Sequence, residues 1–446
     1  MVSSCKKDEP DSAEKFSKLS VEENKALVET AGVDFVKVFR RMESIETIDV
    51  IANLGDIMSS SGEPVAILAK DSKLFSTMET FAAAANREKK INDVFDAMAS
   101  SGELAEDPES IQQFWNENVG TYNWDPELND WIIELGGTTF IFKFPSSDVA
   151  TTNDATLTVY NYTGVNISNP VDEEYTGDLP ASLNADLKVG TKTLISILFA
   201  AEYNADGVPK VIASDLTIEN FKFEIDLTNT TKLVSVNYKF LENTNVILDL
   251  GASGEGLFTE ANFDSNTHTE NDTYSYYDYR WNPNTQQYEE VLVTYTDTWE
   301  ETDFEEIINS AKAHFQLFNI AIRGDINVKG LVDQIRIIDG EEESEEINEE
   351  TAENRRASKI NEYLNLRLVN VTNDQILAKA EAYVVKETYS QYMDTYIDFR
   401  LTFGDESLID LETYFDSGFN DFITELNGLI NDINSDYEVG LENVEY

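Results

Sequence analysis

The feature that most constrains this chain is a succession of long alternating runs rich in Val, Ile, Thr, Phe and Tyr, separated by turn-forming residues. They occupy residues 138–144 (TTFIFKF), 155–162 (ATLTVYNY), 193–203, 210–227 and 233–250. Such side chains fit a pleated surface, and a period of two sends successive residues to opposite faces. Asn204-Ala205-Asp206-Gly207 and Thr228-Asn229-Thr230-Thr231 sit between runs as hairpin loops do. Consecutive hairpins predict an antiparallel meander, and helices before and after it would cover one face. No fixed-period repeat points to a solenoid or propeller.

The flanks read differently. Ser20-Val21-Glu22-Glu23 has the form of a capping box, and Leu27, Val28, Phe35, Val38, Phe39 and Met42 make an apolar stripe behind it. Further helical stretches are expected near 45–60, 66–100 and 109–119, with stops at Gly62-Glu63-Pro64 and Ser100-Ser101-Gly102. After Trp299 a short helix near 303–314, strands at 315–323 and 332–338, and strands at 380–385 and 396–403 are expected. Residues 341–350 (EEESEEINEE) carry seven glutamates and read as a solvated loop entering a helix N-terminus, where acids suit the dipole. Phe415, Phe419, Phe422, Leu426, Leu429 and Ile433 recur at helical spacing, the stripe of a helix docking on the sheet or on a partner helix.

The expected fold is therefore α+β: an N-terminal helical layer, then a large antiparallel β-meander with C-terminal helices packed on it. The expected divisions are a flexible tether at 1–19, a helical region at 20–135, an antiparallel region at 136–300 and a mixed region at 301–446.

Charge restricts the partners. Asp and Glu number 85 against 32 Lys and Arg, a formal net charge of −53 spread along the chain, which argues against nucleic acid and against adsorption to anionic lipid through a basic face. A hydrophobic content of 41% still suffices for real cores, so global disorder is not expected. No run of about 18 apolar residues occurs, and no helix is expected to span a bilayer.

Cys5 is the single cysteine, so no intrachain disulfide and no cysteine-based metal or redox motif can form. Val2-Ser3-Ser4-Cys5 resembles the bacterial lipobox, and Lys6-Lys7-Asp8-Glu9 is similar to the lysine-then-acid signal of Bacteroidota surface lipoproteins. The resemblance covers residues 2–9 and implies targeting only. It implies a signal peptide cleaved ahead of Cys5, lipid attachment to Cys5, and placement at the outer membrane facing outward. Residues 6–19, with Pro10 and many charges, read as a tether.

Residues 246–256 (VILDLGASGEG) resemble the first motif of Rossmann-like methyltransferases, with Asp249, Gly251, Gly254 and Gly256 at the matching positions. That chemistry needs a helix after the turn, and 257–272 lacks a helical stripe. The expectation is a strand leaving the sheet through a glycine-rich loop, with no cofactor. His268 and His314 lack zinc-site spacing, no nucleophile elbow occurs, and Asn204-Ala205-Asp206-Gly207 runs into Val208-Pro209 without a calcium ligand series, so no metal is expected.

Residues 274–281 (YSYYDYRW) and 288–299 (YEEVLVTYTDTW) flank Asn282-Pro283-Asn284-Thr285 as a hairpin would. Alternation puts Tyr277, Tyr279 and Trp281 on one face and Tyr274 and Tyr276 on the other, while Val291, Val293, Tyr295 and Trp299 share a parity. Tyr277, Tyr279, Trp281, Tyr295 and Trp299 are the candidate ligand-binding residues. Their rings could stack on sugar faces while Asp278, Arg280, Glu289 and Glu290 bind hydroxyls; the plainer reading is cross-strand aromatic pairing. Three functions follow as expectations. The first is a non-enzymatic glycan-binding module, and the second is an accessory subunit docking on an outer-membrane β-barrel. The third is a polysaccharide hydrolase using paired carboxylates, for which nothing in the sequence selects a pair.

Overall fold

The computed structural model describes residues 15–42, 45–60, 111–167, 177–284, 286–389, 392–416, 418–437 and 440–444. Cys5 and the helix expected at 66–100 lie outside the described residues. The fold is α+β, a large antiparallel sheet flanked by helices from both ends of the chain. The strands are β1 (Gly120–Asp125), β2 (Asp130–Leu135), β3 (Phe140–Phe144), β4 (Ala155–Ile167), β5 (Gly177–Val189), β6 (Lys192–Tyr203), β7 (Pro209–Ile218), β8 (Phe221–Asn229), β9 (Leu233–Glu242) and β10 (Asn245–Gly256). They continue with β11 (Thr267–Asn282), β12 (Gln287–Thr302), β13 (Ile308–Leu317), β14 (Ile320–Ile326), β15 (Leu364–Asn370), β16 (Gln375–Tyr389), β17 (Tyr392–Thr402) and β18 (Leu408–Asp410). Among the described residues sixteen strands form one sheet in the order β18-β17-β16-β15-β14-β13-β10-β9-β8-β7-β6-β5-β4-β3-β1-β2. Between these strands every pairing is antiparallel except β1 with β3, and Phe16 adds an isolated parallel bridge to Ile376. β11 and β12 form a separate two-stranded ribbon inserted between β10 and β13.

The helices are α1 (Val21–Met42), α2 (Glu46–Ser60), α3 (Ile111–Asn118), α4 (Glu260–Ser265), α5 (Phe304–Ile307), α6 (Val328–Glu343), α7 (Glu349–Tyr363), α8 (Leu411–Phe415) and α9 (Asn420–Tyr437). The capping box forms: the Glu23 amide donates to Ser20 Oγ at 3.2 Å and the Ser20 amide to Glu23 Oε2 at 2.8 Å. The 22 residues of α1 give a rod of about 33 Å. Six interstrand steps of about 4.8 Å separate β16 from β8, so α1 is long enough to cross all of them. Its first residue, Val21, packs with Ala378, Leu401 and Phe403, while Val38 near its other end packs with Phe221, Phe240 and Ile247. Arg41 then grips Glu242 through two hydrogen bonds of 3.1 and 2.6 Å.

A second core lies under α2 and α3, where Val50, Leu54, Ile57 and Met58 meet Tyr122, Trp124, Phe140, Phe142 and Phe144. Alternation explains both cores. Phe221 and Phe223 stand opposite Glu242 and Phe240, and Leu248 stands opposite Phe240 and Leu317, so one parity on each strand supplies the helix-covered face. The other parity carries mostly polar groups, as an antiparallel sheet with one wet face requires.

Several boundaries differ from expectation. The helical region does not run to 135, because Tyr122 and Trp124 alternate into the core as β1 and pair with β2. Residues 16 and 17, expected within the tether, are bound to the sheet: the Ser17 amide donates to Ile376 O at 2.7 Å, and Phe16 packs on Ala321, Val369 and Ile376. The runs at 210–227 and 233–250 each fold into two strands, turning at Glu219 and Asn243 with φ of 52° and 57°. A left-handed non-glycine residue is uncommon, and Glu219 is held there by its side chain, which accepts from the Thr47 amide at 3.0 Å and pairs with Lys192 Nζ at 3.0 Å. The expected helix at 303–314 is only the short α5 before β13, and 332–338 lies in α6 rather than in a strand. The C-terminal stripe splits after Phe415, and its main helix, α9, docks chiefly on α1. A Cβ on Gly32 would lie 2.6 Å from the Phe422 ring, and Arg40 pairs with Glu425 and Asp432. The glutamate run closes α6 and opens α7, with the Thr351 amide donating to the capping Asn348 side chain at 2.9 Å.

Candidate functional site

Two regions gather chemistry. The first is the ribbon of β11 and β12, which the chain enters and leaves at one narrow point. Gly256 is required there, since a Cβ would lie 2.2 Å from Ile307 O, and the Leu257 amide donates to that same oxygen at 2.9 Å. With 16 residues in each strand, the ribbon reaches about 50 Å.

Register decides which aromatic side chains meet. Tyr274 pairs with Tyr295, Tyr276 with Val293 and Glu270 with Trp299, so Tyr295 and Trp299 share the face of Tyr274 and Tyr276. Tyr277 pairs with Leu292, Tyr279 with Glu290 and Trp281 with Tyr288, on the opposite face. The five expected binding residues are therefore divided three and two between the faces. Tyr295 stacks between Tyr274 and Tyr276, each at 5.9 Å, and Trp281 meets Tyr288 edge-on at 5.4 Å. All five are exposed, from 46% for Tyr295 and Trp299 to 67% for Tyr277. The Tyr279 hydroxyl donates to the Glu290 carboxylate, and that bond pushes its pKa upward. Arg280 pairs with Asp278 at 3.1 Å. Hydroxyl ladders fill the rest, with Ser275 against Thr294 at 2.8 Å and Thr273 against Thr296 at 3.1 Å.

At the base of the ribbon His268 stands opposite Glu301, and His268, Glu270 and Glu301 bring one ligand atom each within 4.8 Å of one another. His268 Nε2 lies 3.0 Å from Glu270 Oε1, and its Nδ1 is 3.6 Å from Asp303. An imidazole and two carboxylates are suitable donors for a divalent cation. Spacing along the sequence hid the group, because Glu301 joins it only across the ladder.

The second region lies on the wet face of the main sheet. β10 continues through the glycine-rich motif, so Gly251 and Gly254 lie within a strand between β9 and β13 and not in the expected glycine-rich loop, because their neighbours' ladders run on to Gly256. The bare backbone at Gly251 leaves room for neighbours: a Cβ there would lie 2.3 Å from His314 Cε1. His314 Nε2 is 2.9 Å from Asp249 Oδ1, and the Asn237 amide nitrogen donates to the same oxygen at 3.1 Å. Continuing across the strands, His314 stands opposite Arg323, Arg323 opposite Arg367, and Arg367 opposite Lys379. A trough of about 520 Å³ opens over this row, lined among others by Asn237, Gly251, Lys312, His314, Arg323 and Arg367. Arg367 reaches Asp325 at 3.5 Å, and Arg323 reaches the exposed Asp374 at 3.3 Å. Lys312 makes no ion pair with a described residue. The sequence reading missed this row because its members are up to 65 residues apart from His314 to Lys379 and only register makes them neighbours; the available hint was that Lys312 and His314, and again Arg323 and Asp325, are two residues apart on one strand face.

Among the described residues no helix is long and apolar enough to cross a membrane. Comparison with known protein families, with characterised proteins and with solved structures finds no match to this chain.

Proposed function

We propose that this chain is a non-enzymatic binding protein of a bacterial outer-membrane surface, held by lipid on Cys5, with the β11–β12 ribbon as its glycan-contacting arm. The observation that carries the reading is that the arm holds Tyr277, Tyr279, Trp281 and Tyr288 on one face at 51–68% exposure, with no second sheet packed behind them among the described residues. Rings kept in water present faces on which a ligand can stack, and sugar faces match their amphipathic character. Division of the aromatic residues between two faces makes the tip cluster of Tyr277, Tyr279, Trp281 and Tyr288 the stronger binding surface. In the opposite cluster Tyr295 is stacked between Tyr274 and Tyr276, whereas Trp281 and Tyr288 at the tip meet edge-on and leave ring faces open.

Glycan titration tests the arm. Trp281→Ala and Tyr279→Ala should each weaken binding about tenfold while Tyr276→Ala changes little, and unchanged affinity in the tip variants would remove the site. The anchor has its own test: Cys5→Ser should release the protein from membranes and abolish palmitate incorporation.

A second reading rests on a different observation. In a two-stranded ribbon each strand has one edge unpaired, and such edges accept a further strand. An outer-membrane partner could dock there by strand addition. Purification in mild detergent should then retain that partner, and a lone monomer would count against this reading.

A further inference from the structure

We propose that the trough over Gly251 is a second binding site, independent of the arm, for an acidic saccharide whose oxyanion sits on Lys312, Arg323 and Arg367. The first argument is the charge row itself. Like charges directly opposite one another on neighbouring strands destabilise a sheet, yet Arg323, Arg367 and Lys379 are in register across three strands. This occurs in a chain whose acids outnumber its bases 85 to 32, so an acidic neighbour was the commoner choice at every position. The trough itself is lined by Lys312, Arg323 and Arg367 against the single carboxylate of Asp325. Asp374 and Asp325 each offset part of this charge, at 3.3 Å from Arg323 and 3.5 Å from Arg367, and a bound oxyanion would be a further partner shared by two adjacent guanidinium forks, which suit the bidentate recognition of carboxylate, sulfate or phosphate.

The second argument is shape. A volume of about 520 Å³ lies within the usual range for small-ligand sites and exceeds what a single inorganic ion needs. Gly251 adds no side chain to its floor, and the backbone of Ala252, Ala313 and Gly324, whose own side positions face the other side of the sheet, completes that floor. The third argument is the remaining chemistry. Ser235, Ser253 and Asn237 line the same trough and can donate to or accept from hydroxyls. His314 joins them with its ring held by Asp249, which leaves Nδ1 on the Gly251 side, where a Cβ would be 2.8 Å away. Cations at one end and neutral hydroxyl partners at the other describe a polyol that carries an acid group. Surrounding negative charge would repel loosely bound anions, so only a ligand reaching all of these groups gains net attraction.

Calorimetric titration of the full chain decides the matter, using a glucuronate oligosaccharide, a sulfated one of equal length, a sugar phosphate and a neutral oligosaccharide. At least one acidic probe should bind, with the neutral one weaker by about tenfold or more. Arg323→Glu should abolish that preference and Lys312→Gln should reduce it, and both should flatten its dependence on salt. Both positions are at the surface, and unchanged unfolding midpoints would confirm that the fold survives. Trp281→Ala should leave acidic-probe affinity unchanged, which separates this site from the arm. Equal binding of acidic and neutral probes, no binding of any acidic probe, or full affinity in Arg323→Glu would each overturn the proposal.

Discussion

The main sheet and the β11–β12 ribbon are written in the same alternating, aromatic-rich language, and they end in opposite environments. In the sheet, Phe240 is 1% exposed and stacks on Phe223 at 4.7 Å beneath α1. In the ribbon, Tyr276 stacks on Tyr295 at 5.9 Å and remains 44% exposed. Alternation therefore specifies a strand and its faces, while burial depends on whether another element arrives to cover one of them. The sheet receives α1, α2 and α3 on its apolar parity; the ribbon receives neither a helix nor a second sheet among the described residues.

The difference has measurable consequences, of which the largest lies in the core. Phe240→Ala should lower the unfolding free energy by about 3–5 kcal/mol, read from the shift in denaturant midpoint at constant slope. Tyr276→Ala removes a ring of similar size from the ribbon and should cost less than about 1 kcal/mol globally. Equal losses at the two positions would erase the contrast.

An intermediate effect is expected where α2 meets the sheet. Burial pushes the Glu219 carboxyl upward, but hydrogen bonds from Lys192 and from the Thr47 amide and hydroxyl outweigh it and hold the pKa below the usual carboxylate range. A depressed carboxylate contributes stability above its unfolded pKa and loses it as pH falls through its folded one. Glu219→Gln should thus destabilise the neutral protein by about 1–2 kcal/mol and flatten the stability profile over the acidic range below the ordinary glutamate pKa. A mutant whose acid limb is as steep as that of the parent would exclude the assignment.

The smallest effect is spectroscopic. Tyr383 donates to Asp410 at 2.8 Å, and this bond, with burial and the nearby charge, raises its pKa to about 12. Asp410→Asn should let the Tyr383 phenolate appear at lower pH in an absorbance titration with little change in stability. No movement of that titration would mean that the edge strand β18 does not hold the ring.

The meander was legible because its information is local: period, turn residues and β-branched content all lie within a dozen positions. Boundaries failed where a local signal was weak or shared. Residues 332–338 contain Val and Ile enough for a strand, yet Asn327 caps α6 by accepting from Gly330 N at 2.9 Å, and the segment is helical. Glu219 and Asn243 turn the chain without a glycine, so two hairpins read as single runs. The arm's aromatic residues were visible individually, but their division between faces required the register of β12 against β11. The trough was less legible still, since His314, Arg323, Arg367 and Lys379 become adjacent only when four strands are aligned.

Strand order also bears on how the molecule assembles. Neighbours in the sheet are mostly neighbours along the chain, a low-separation topology in which pairing can spread hairpin by hairpin and avoid slow long-range searches. The β10–β13 and β14–β15 ladders stand apart, because residues 257–307 and 327–363 must be looped out before they can close, and the first loop is the longer. Closure entropy grows only with the logarithm of loop length, so arms of very different reach could occupy that position at nearly the same thermodynamic cost. The junction at Gly256 and Ile307 is thus a natural place to exchange one arm for another without rewriting the sheet.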